Sequence, residues 1–188
     1  MITKEIIEES LRLGTAEVNR DYVIGVNTTA GKVFITLATT SGERLHVQDV
    51  FETDLKTAMK DLPALVKDRS VSRVVVSIGP ERVWADDLAK VLGCDVFLCG
   101  YTRDESQPLK DNFLKVNRAE SFDRVFESFS QKKISVNPNF EDEFPSDWEN
   151  QLMNVKRMYF EDHKYTTSGH DNFFHSLVYA MLAAKYKS

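Results

Sequence analysis

Three side chains stand where chemistry would gather. Asn27 ends the apolar run Tyr22–Asn27 (YVIGVN), and Ser77 sits near the end of Arg73–Ile78 (RVVVSI). Asp171 opens the last helical stretch, within Gly169-His170-Asp171-Asn172. Ligands of an open sheet collect at strand ends, where side chains leave the packed core. A carboxylate such as Asp171 suits a hard divalent cation. Asn27 offers a carbonyl oxygen without charge, and Ser77 a short neutral hydroxyl. His170 precedes Asp171, and His175 follows it by one helical turn, on the same face. Both suit contact with a metal or a phosphate, and equally a helix start and a packing face. Asp171 itself also suits simple capping of a helix dipole. Among other acids, Glu81 lies four residues past Ser77 and could fold back toward it. Asp49 and Glu52 close a neighbouring strand, whereas Asp21 begins its strand and lies at the wrong end.

Other chemistries find no support in the chain. It has no Gly-x-x-x-x-Gly-Lys-Ser/Thr loop for a nucleotide, no GxGxxG turn and no nucleophile elbow. Cys94 and Cys99 lack metal-ligand spacing and read as buried or half-buried thiols. The net charge of −5 is the wrong sign for a protein that grips nucleic acid mainly through phosphates. DNA contact would need a local basic patch, a metal or a neighbouring domain. The pairs Lys132-Lys133 and Lys156-Arg157 suit phosphate contact or a solvated surface. No apolar run approaches the length of a membrane span, and no signal-peptide centre precedes the first charged helix.

The elements that must position these residues follow from periodicity. Residues 2–13 suit a short amphipathic helix. Strands are expected over 22–27, 32–39 and 43–50, joined by turns at 28–31 and 41–42 into an antiparallel meander. A helix over 53–68 begins at Thr53 as N-cap. The β-branched run 73–78 predicts a central strand covered on both faces. A helix over 84–92 and a strand over 95–98 follow, which demands parallel strands with crossover helices. Residues 119–131 place Phe122, Val125, Phe126 and Phe129 on one helical stripe, a core face. A short strand at 133–136, an acidic loop at 137–145, a helix over 147–155 and a strand over 157–161 precede a terminal helix over 170–186. Trp84 and Trp148 read as core or half-buried anchors.

At the three strand-end positions the chain resembles the nuclease domain of phage-type terminase large subunits. The quoted segments are YVIGVN, VVVSIG followed by Asp86-Asp87-Leu88, and GHDN followed by Ser176–Ala180. The last motif and its helix are the most specific, and the resemblance runs over roughly residues 2–186. It implies an α/β, ribonuclease-H-like mixed sheet, with three antiparallel strands first and parallel strands after, flanked by helices. It also implies a connector helix in residues 1–20 followed by a single domain over 21–188. In the family, acids at the three positions bind two divalent metals, Mg²⁺ or Mn²⁺, which cut double-stranded DNA by activating water and stabilising the leaving oxygen. Carried over, Asp171, Asn27 and Ser77 fall on catalytic positions, Asp171 and Asn27 on metal-ligand positions, and His170, Asn172, Glu81 and His175 beside them. The implied partners are double-stranded DNA and the terminase ATPase domain or other packaging proteins. The implied location is the cytoplasm of the infected host cell.

The chain departs from that pattern where charge matters. Asn27 and Ser77 stand where acids are expected, and Asn172 replaces a frequent further acid. Asp171 is the carboxylate that remains. Neutral ligands neither offset the dehydration of Mg²⁺ nor screen two metals about 4 Å apart. Ordinary two-metal catalysis is therefore not expected. One reading is a metal-dependent endonuclease domain completed by another acid. A second is a module that keeps the fold to grip DNA or dock on a motor or portal without cutting. A third, more remote, is an unrelated scaffold of this fold used for protein contact, which a large apolar patch would favour. A packaging motor needs ATP, so without a phosphate loop a complete terminase large subunit is not expected; the chain reads as an excised C-terminal domain or a free-standing relative, and the leading helix favours excision.

Overall fold

The computed structural model describes residues 1–13, 21–137, 145, 147–158 and 165–186. Helix α1 (Lys4–Arg12) starts at Thr3, whose Oγ1 accepts from the Ile6 amide at 3.3 Å. It is followed by the meander β1 (Asp21–Thr29), β2 (Lys32–Ser41) and β3 (Arg44–Asp54). Ala30 and Gly31 both take positive φ in the first turn, as a two-residue hairpin with the right-handed sheet twist requires. Then come α2 (Leu55–Arg69), β4 (Arg73–Ser77), α3 (Arg82–Val91) and β5 (Asp95–Thr102). The hairpin β6 (Gln107–Lys110) and β7 (Phe113–Asn117) leads into α4 (Arg118–Ser130) and β8 (Ile134–Val136). Helix α5 (Trp148–Met153), the small hairpin β9 (Val155–Arg157) and β10 (Tyr165–Thr167), and α6 (Asn172–Lys185) complete the described chain.

Eight strands form one mixed sheet in the order β6-β7-β5-β4-β1-β2-β3-β8. Strands β1, β4, β5 and β7 run parallel, β2 is antiparallel to both of its neighbours, and β8 adds parallel to β3. This is the ribonuclease-H-like arrangement of a mixed sheet flanked by helices. Ile24, Val26, Val74 and Val76 point to one face, under α2 and α3. Val23, Val75, Phe97 and Leu114 point to the other, under α6 and α4, where Ile2 and Ile7 of α1 and Trp148 of α5 also lie. Strands buried on both faces explain the unalternating apolar runs of β1 and β4.

Several boundaries differ from the sequence expectation. Helix α2 is capped by Asp54, whose Oδ1 accepts from the Thr57 amide at 2.7 Å, rather than by Thr53. Strand β1 runs two residues past Asn27, and β5 runs four past Leu98. The β6–β7 hairpin was not anticipated. The strand expected at 157–161 is observed as Val155–Arg157, and residues 159–161 fall outside the described residues, as does most of the loop 137–145.

Helix α6 lies directly on β1 at Gly25. A Cβ there would sit 2.0 Å from the Ser176 carbonyl oxygen and 2.3 Å from the Ala180 nitrogen. Both are backbone atoms, so no rotamer change relieves the clash. Beside this contact, Ser176 Oγ and Thr36 Oγ1 of β2 hydrogen-bond at 2.7 Å in a fully buried setting. At the other end of α6 the buried Arg73 donates from Nη1 to the Ala183 carbonyl oxygen at 2.7 Å, satisfying a last-turn acceptor and opposing the negative helix end. Gly25→Ala is expected to destabilise the protein by about 3 kcal/mol, the upper range for overpacking. For a chain of this size that lowers the melting temperature by about 6–12 °C. Gly93→Ala, with open space around its Cβ, is expected to stay within about 0.5 kcal/mol of wild type in the same melts.

Candidate functional site

Asn27 and Ser77 come side by side. Val26 pairs in parallel with Val76, so the next residue on each strand lies across a spacing of about 4.8 Å. Alternation along both strands turns Asn27 and Ser77 toward α6, together with Gly25, Arg73 and Val75. The close approach at Gly25 then brings the first turn of α6 over them. Asn27 Nδ2 donates to Asn172 Oδ1 at 3.1 Å. Ser77 Oγ accepts from the Thr28 amide at 3.1 Å and lies 3.3 Å from Thr28 Oγ1. Asn27 and Ser77 are 7% and 4% exposed. Three of the positions singled out in the sequence thus form one polar cluster, with Asp171 adjacent.

Asp171 occupies the N-cap position of α6, yet its side chain makes no capping bond. The Phe173 amide is instead satisfied by Gln151 Oε1 of α5 at 2.9 Å, and Gln151 is fixed in turn by Asp147 at 2.8 Å. That frees the Asp171 carboxylate, whose Oδ2 accepts from Thr167 Oγ1 at 2.8 Å and from His175 Nε2 at 3.1 Å. Burial works against its charge, but the bonds from His175 and Thr167 and the nearby Arg118 cation outweigh this and hold its pKa below the usual carboxylate value. With Asp171 ionised, His175 Nε2 must carry a hydrogen. In the neutral ring Nδ1 then accepts from the Tyr101 hydroxyl at 2.9 Å. Tyr101 stacks on Tyr179 with ring centroids 5.8 Å apart, and burial pushes its phenol well above the usual range. The result is a chain Thr167–Asp171–His175–Tyr101 leading from the strand-end cluster into the core.

The other expected members do not join. His170 is exposed, and its carbonyl accepts from Asn154 Nδ2 at 2.9 Å. Glu81 begins α3, where its carbonyl accepts from the Ala85 amide at 2.9 Å. Glu52 pairs with Lys32 at 3.2 Å, and Asp49 accepts from the Val50 amide at 2.9 Å. Sequence reasoning missed Tyr101, Thr167 and Gln151. Tyr101 was hidden because the strand expected over 95–98 stops short of it, whereas β5 continues through Gly100, close to the Ile78 side chain, to Thr102. Thr167 and Gln151 become visible only when α5 and the small hairpin fold against α6.

The donor set can be tested against the divalent metals implied by the resemblance. Asp171 Oδ2 and Ser77 Oγ are already engaged. Asn27 Oδ1 and Asp171 Oδ1 are the oxygens without a hydrogen-bond donor among the described residues, and together they carry part of a single charge. No group of three or more His, Cys, Asp or Glu side chains that could hold a metal ion occurs among the described residues. Such a set does not fit a two-metal centre.

Comparison with known proteins gives the fold a context. No protein-family model matches the sequence, and no curated protein is similar to it. Among solved structures, the chain is similar to the large terminase nuclease from thermophilic phage G20c, with 13% identity and a TM-score of 0.61, covering 90% of this chain and 84% of that one. It is also similar to the large terminase from a second thermophilic bacteriophage, in complex with ATP-gamma-S, with 10% identity and a TM-score of 0.64. There the match covers 92% of this chain but spans 42% of the terminase. The human cytomegalovirus terminase nuclease domain, in a manganese-soaked, inhibitor-bound form, matches at 12% identity and a TM-score of 0.56 over 98% and 93% of the two chains. The chain therefore has a distant structural resemblance to phage and viral terminase nuclease domains. At such identities the likeness is one of fold.

Asp171→Asn should cost about 1–2 kcal/mol at neutral pH, since it weakens two hydrogen bonds to a charged acceptor. Because the folded-state pKa of Asp171 is depressed, its contribution is present above the unfolded value near 3.8 and is lost as pH falls through the lower folded value. Denaturant melts of the two proteins should therefore differ at pH 7 and converge once pH has fallen through the depressed folded-state value.

Proposed function

We propose that this chain is a nuclease-fold module of the terminase large-subunit kind that does not cut DNA by two-metal catalysis. It acts instead by holding double-stranded DNA or by docking on the ATPase domain or portal of a packaging machine, in the cytoplasm of the infected host cell. One observation carries the reading: the Asn27–Asn172 side-chain bond. Two acids at those positions would repel each other and call for a cation between them. Two amides attract through one hydrogen bond instead, so no cation is needed between them. Ser77 adds no charge and is engaged by Thr28. Asp171 is held by Thr167 and His175, in the manner of a structural carboxylate.

The competing reading, an Mg²⁺- or Mn²⁺-dependent endonuclease, draws on the fold likeness and on the ionised state of Asp171. Plasmid nicking separates the two. Wild type and Asp171→Ala, each shown to be folded, are expected to leave supercoiled plasmid uncut with either metal. Cutting by wild type that vanishes in Asp171→Ala would overturn the proposal.

The amide pair also predicts what restoring the acids would do. Asn27→Asp combined with Ser77→Asp should melt lower than wild type without metal, because three carboxylates would crowd a largely buried site. Added Mn²⁺ should raise the melting temperature of this variant through binding to the folded state. It should leave that of wild type unchanged. A wild-type melt that rises with Mn²⁺ and is insensitive to it in Asp171→Ala would count against the reading of the donor set.

A further inference from the structure

An open groove lies on the sheet face opposite α6, between β3 and α2, with a volume of about 450 Å³. Its floor is apolar: Leu62 is buried, while Phe51 and Leu65 are half-buried and face the opening. Its rim is acidic. Asp61, Ala64, Leu65 and Asp68 follow one another at i, i+3, i+4 and i+7, one continuous stripe of α2. Asp61 and Asp68 are exposed and have no ion-pair partner among the described residues, while Glu52 across the groove is held by Lys32. Both acids therefore offer charge to an incoming partner. The stripe spans about 10 Å along the helix axis, the length of two turns.

We propose that this groove docks an amphipathic helix of another protein, one that sets two Lys or Arg side chains seven residues apart on either side of an apolar pair. The apolar pair would cover Phe51 and Leu65, and the cations would meet Asp61 and Asp68. Charge selects this occupant. Nucleic acid is repelled by the acidic rim. A second copy of this chain is disfavoured by its net charge of −5 and by its amphipathic helix α1, which carries Glu5, Glu8 and Glu9 against Lys4 and Arg12. The proposal rests on the reading of the chain as a module that works through partners. Its test does not involve the strand-end cluster, so failure of the groove in peptide binding and failure of that reading in the nicking assay are told apart.

The test uses the full chain and a fluorescein-labelled helical peptide of about 14 residues, with Lys at stripe positions i and i+7 and Leu at i+3 and i+4. Fluorescence anisotropy should show saturable binding that weakens with salt. Asp61→Lys combined with Asp68→Lys should lower affinity at least about tenfold, as should Leu65→Asp. The two charge reversals sit on exposed positions and should keep the wild-type melt. The same doubly reversed protein should regain binding to a peptide carrying Glu in place of Lys. Equal binding by wild type and both variants would overturn the proposal, as would binding no tighter than that of a scrambled peptide. Self-association in sedimentation experiments that the charge reversals abolish would replace the helix with a second copy. Duplex-DNA binding by wild type that Leu65→Asp abolishes would replace it with nucleic acid.

Discussion

The arrangement turns on one contact, the backbone of α6 lying on β1 at Gly25. No side chain separates the helix from the strand there. The helix supplies Ser176 and Ala180 at the contact, and the Ser176 hydroxyl is absorbed by Thr36 on the next strand. Two residues along the strand is Asn27, and one turn before Ser176 on the helix is Asn172. The depth of the Gly25 approach therefore sets the 3.1 Å separation of the two amides. Arg73 fixes the far end of the same helix through the Ala183 carbonyl. With both ends and the middle pinned, the first turn of α6 has little freedom over β1 and β4.

The chemistry of the strand-end cluster follows from what that rigidity demands. Side chains forced together at a nearly dry junction must be mutually satisfied or be bridged by an ion. Here they are satisfied in pairs: amide with amide, hydroxyl with backbone amide, carboxylate with hydroxyl and imidazole. The one charge in the group is stabilised by its hydrogen bonds and by Arg118 against the cost of its burial. Gln151 takes over the capping of α6, which leaves Asp171 to anchor His175 and, through it, Tyr101. The carboxylate thus ties β10, α6 and β5 together. That role asks for no metal, and any metal would have to compete with it.

Much of this is legible in the sequence alone. The unbroken apolar runs of β1 and β4 announce strands covered on both faces, and the periodicity of α6 announces a helix lying on them. The neighbouring places of Asn27 and Ser77 follow from two strands ending at one edge of the sheet. What stays hidden is set by tertiary contact or by weak local signals. Pro63 is no such case: periodicity already places a helix over 53–68, and α2 persists through Pro63 because Ala58, Leu62 and Val66 bury against the sheet. The β6–β7 hairpin lacks an apolar face on β6, whose residues are all exposed. Its signal lies in Asp111 and Asn112, which both adopt positive φ. Capping of α6 by a side chain 22 residues away has no signature in the local sequence.

The same physics explains how a fold is shared at 9–13% identity while its chemistry need not be. Sheet order, the close helix approach and two apolar faces depend on residue size and periodicity, which many sequences satisfy. The strand-end side chains obey a different rule, because their charges must sum with whatever the site holds. Replacing one acid of a metal cluster leaves the ion under-ligated. Replacing two or more with neutral groups removes the need for the ion altogether, provided the new groups can bond to each other. Asn27 and Asn172 do so across the junction, and Ser77 does so with Thr28. A set with more acids would add repulsion here, whereas this set carries a single carboxylate with two donors of its own. The internal pairing, more than the missing charges alone, is what separates this junction from a site built around an ion.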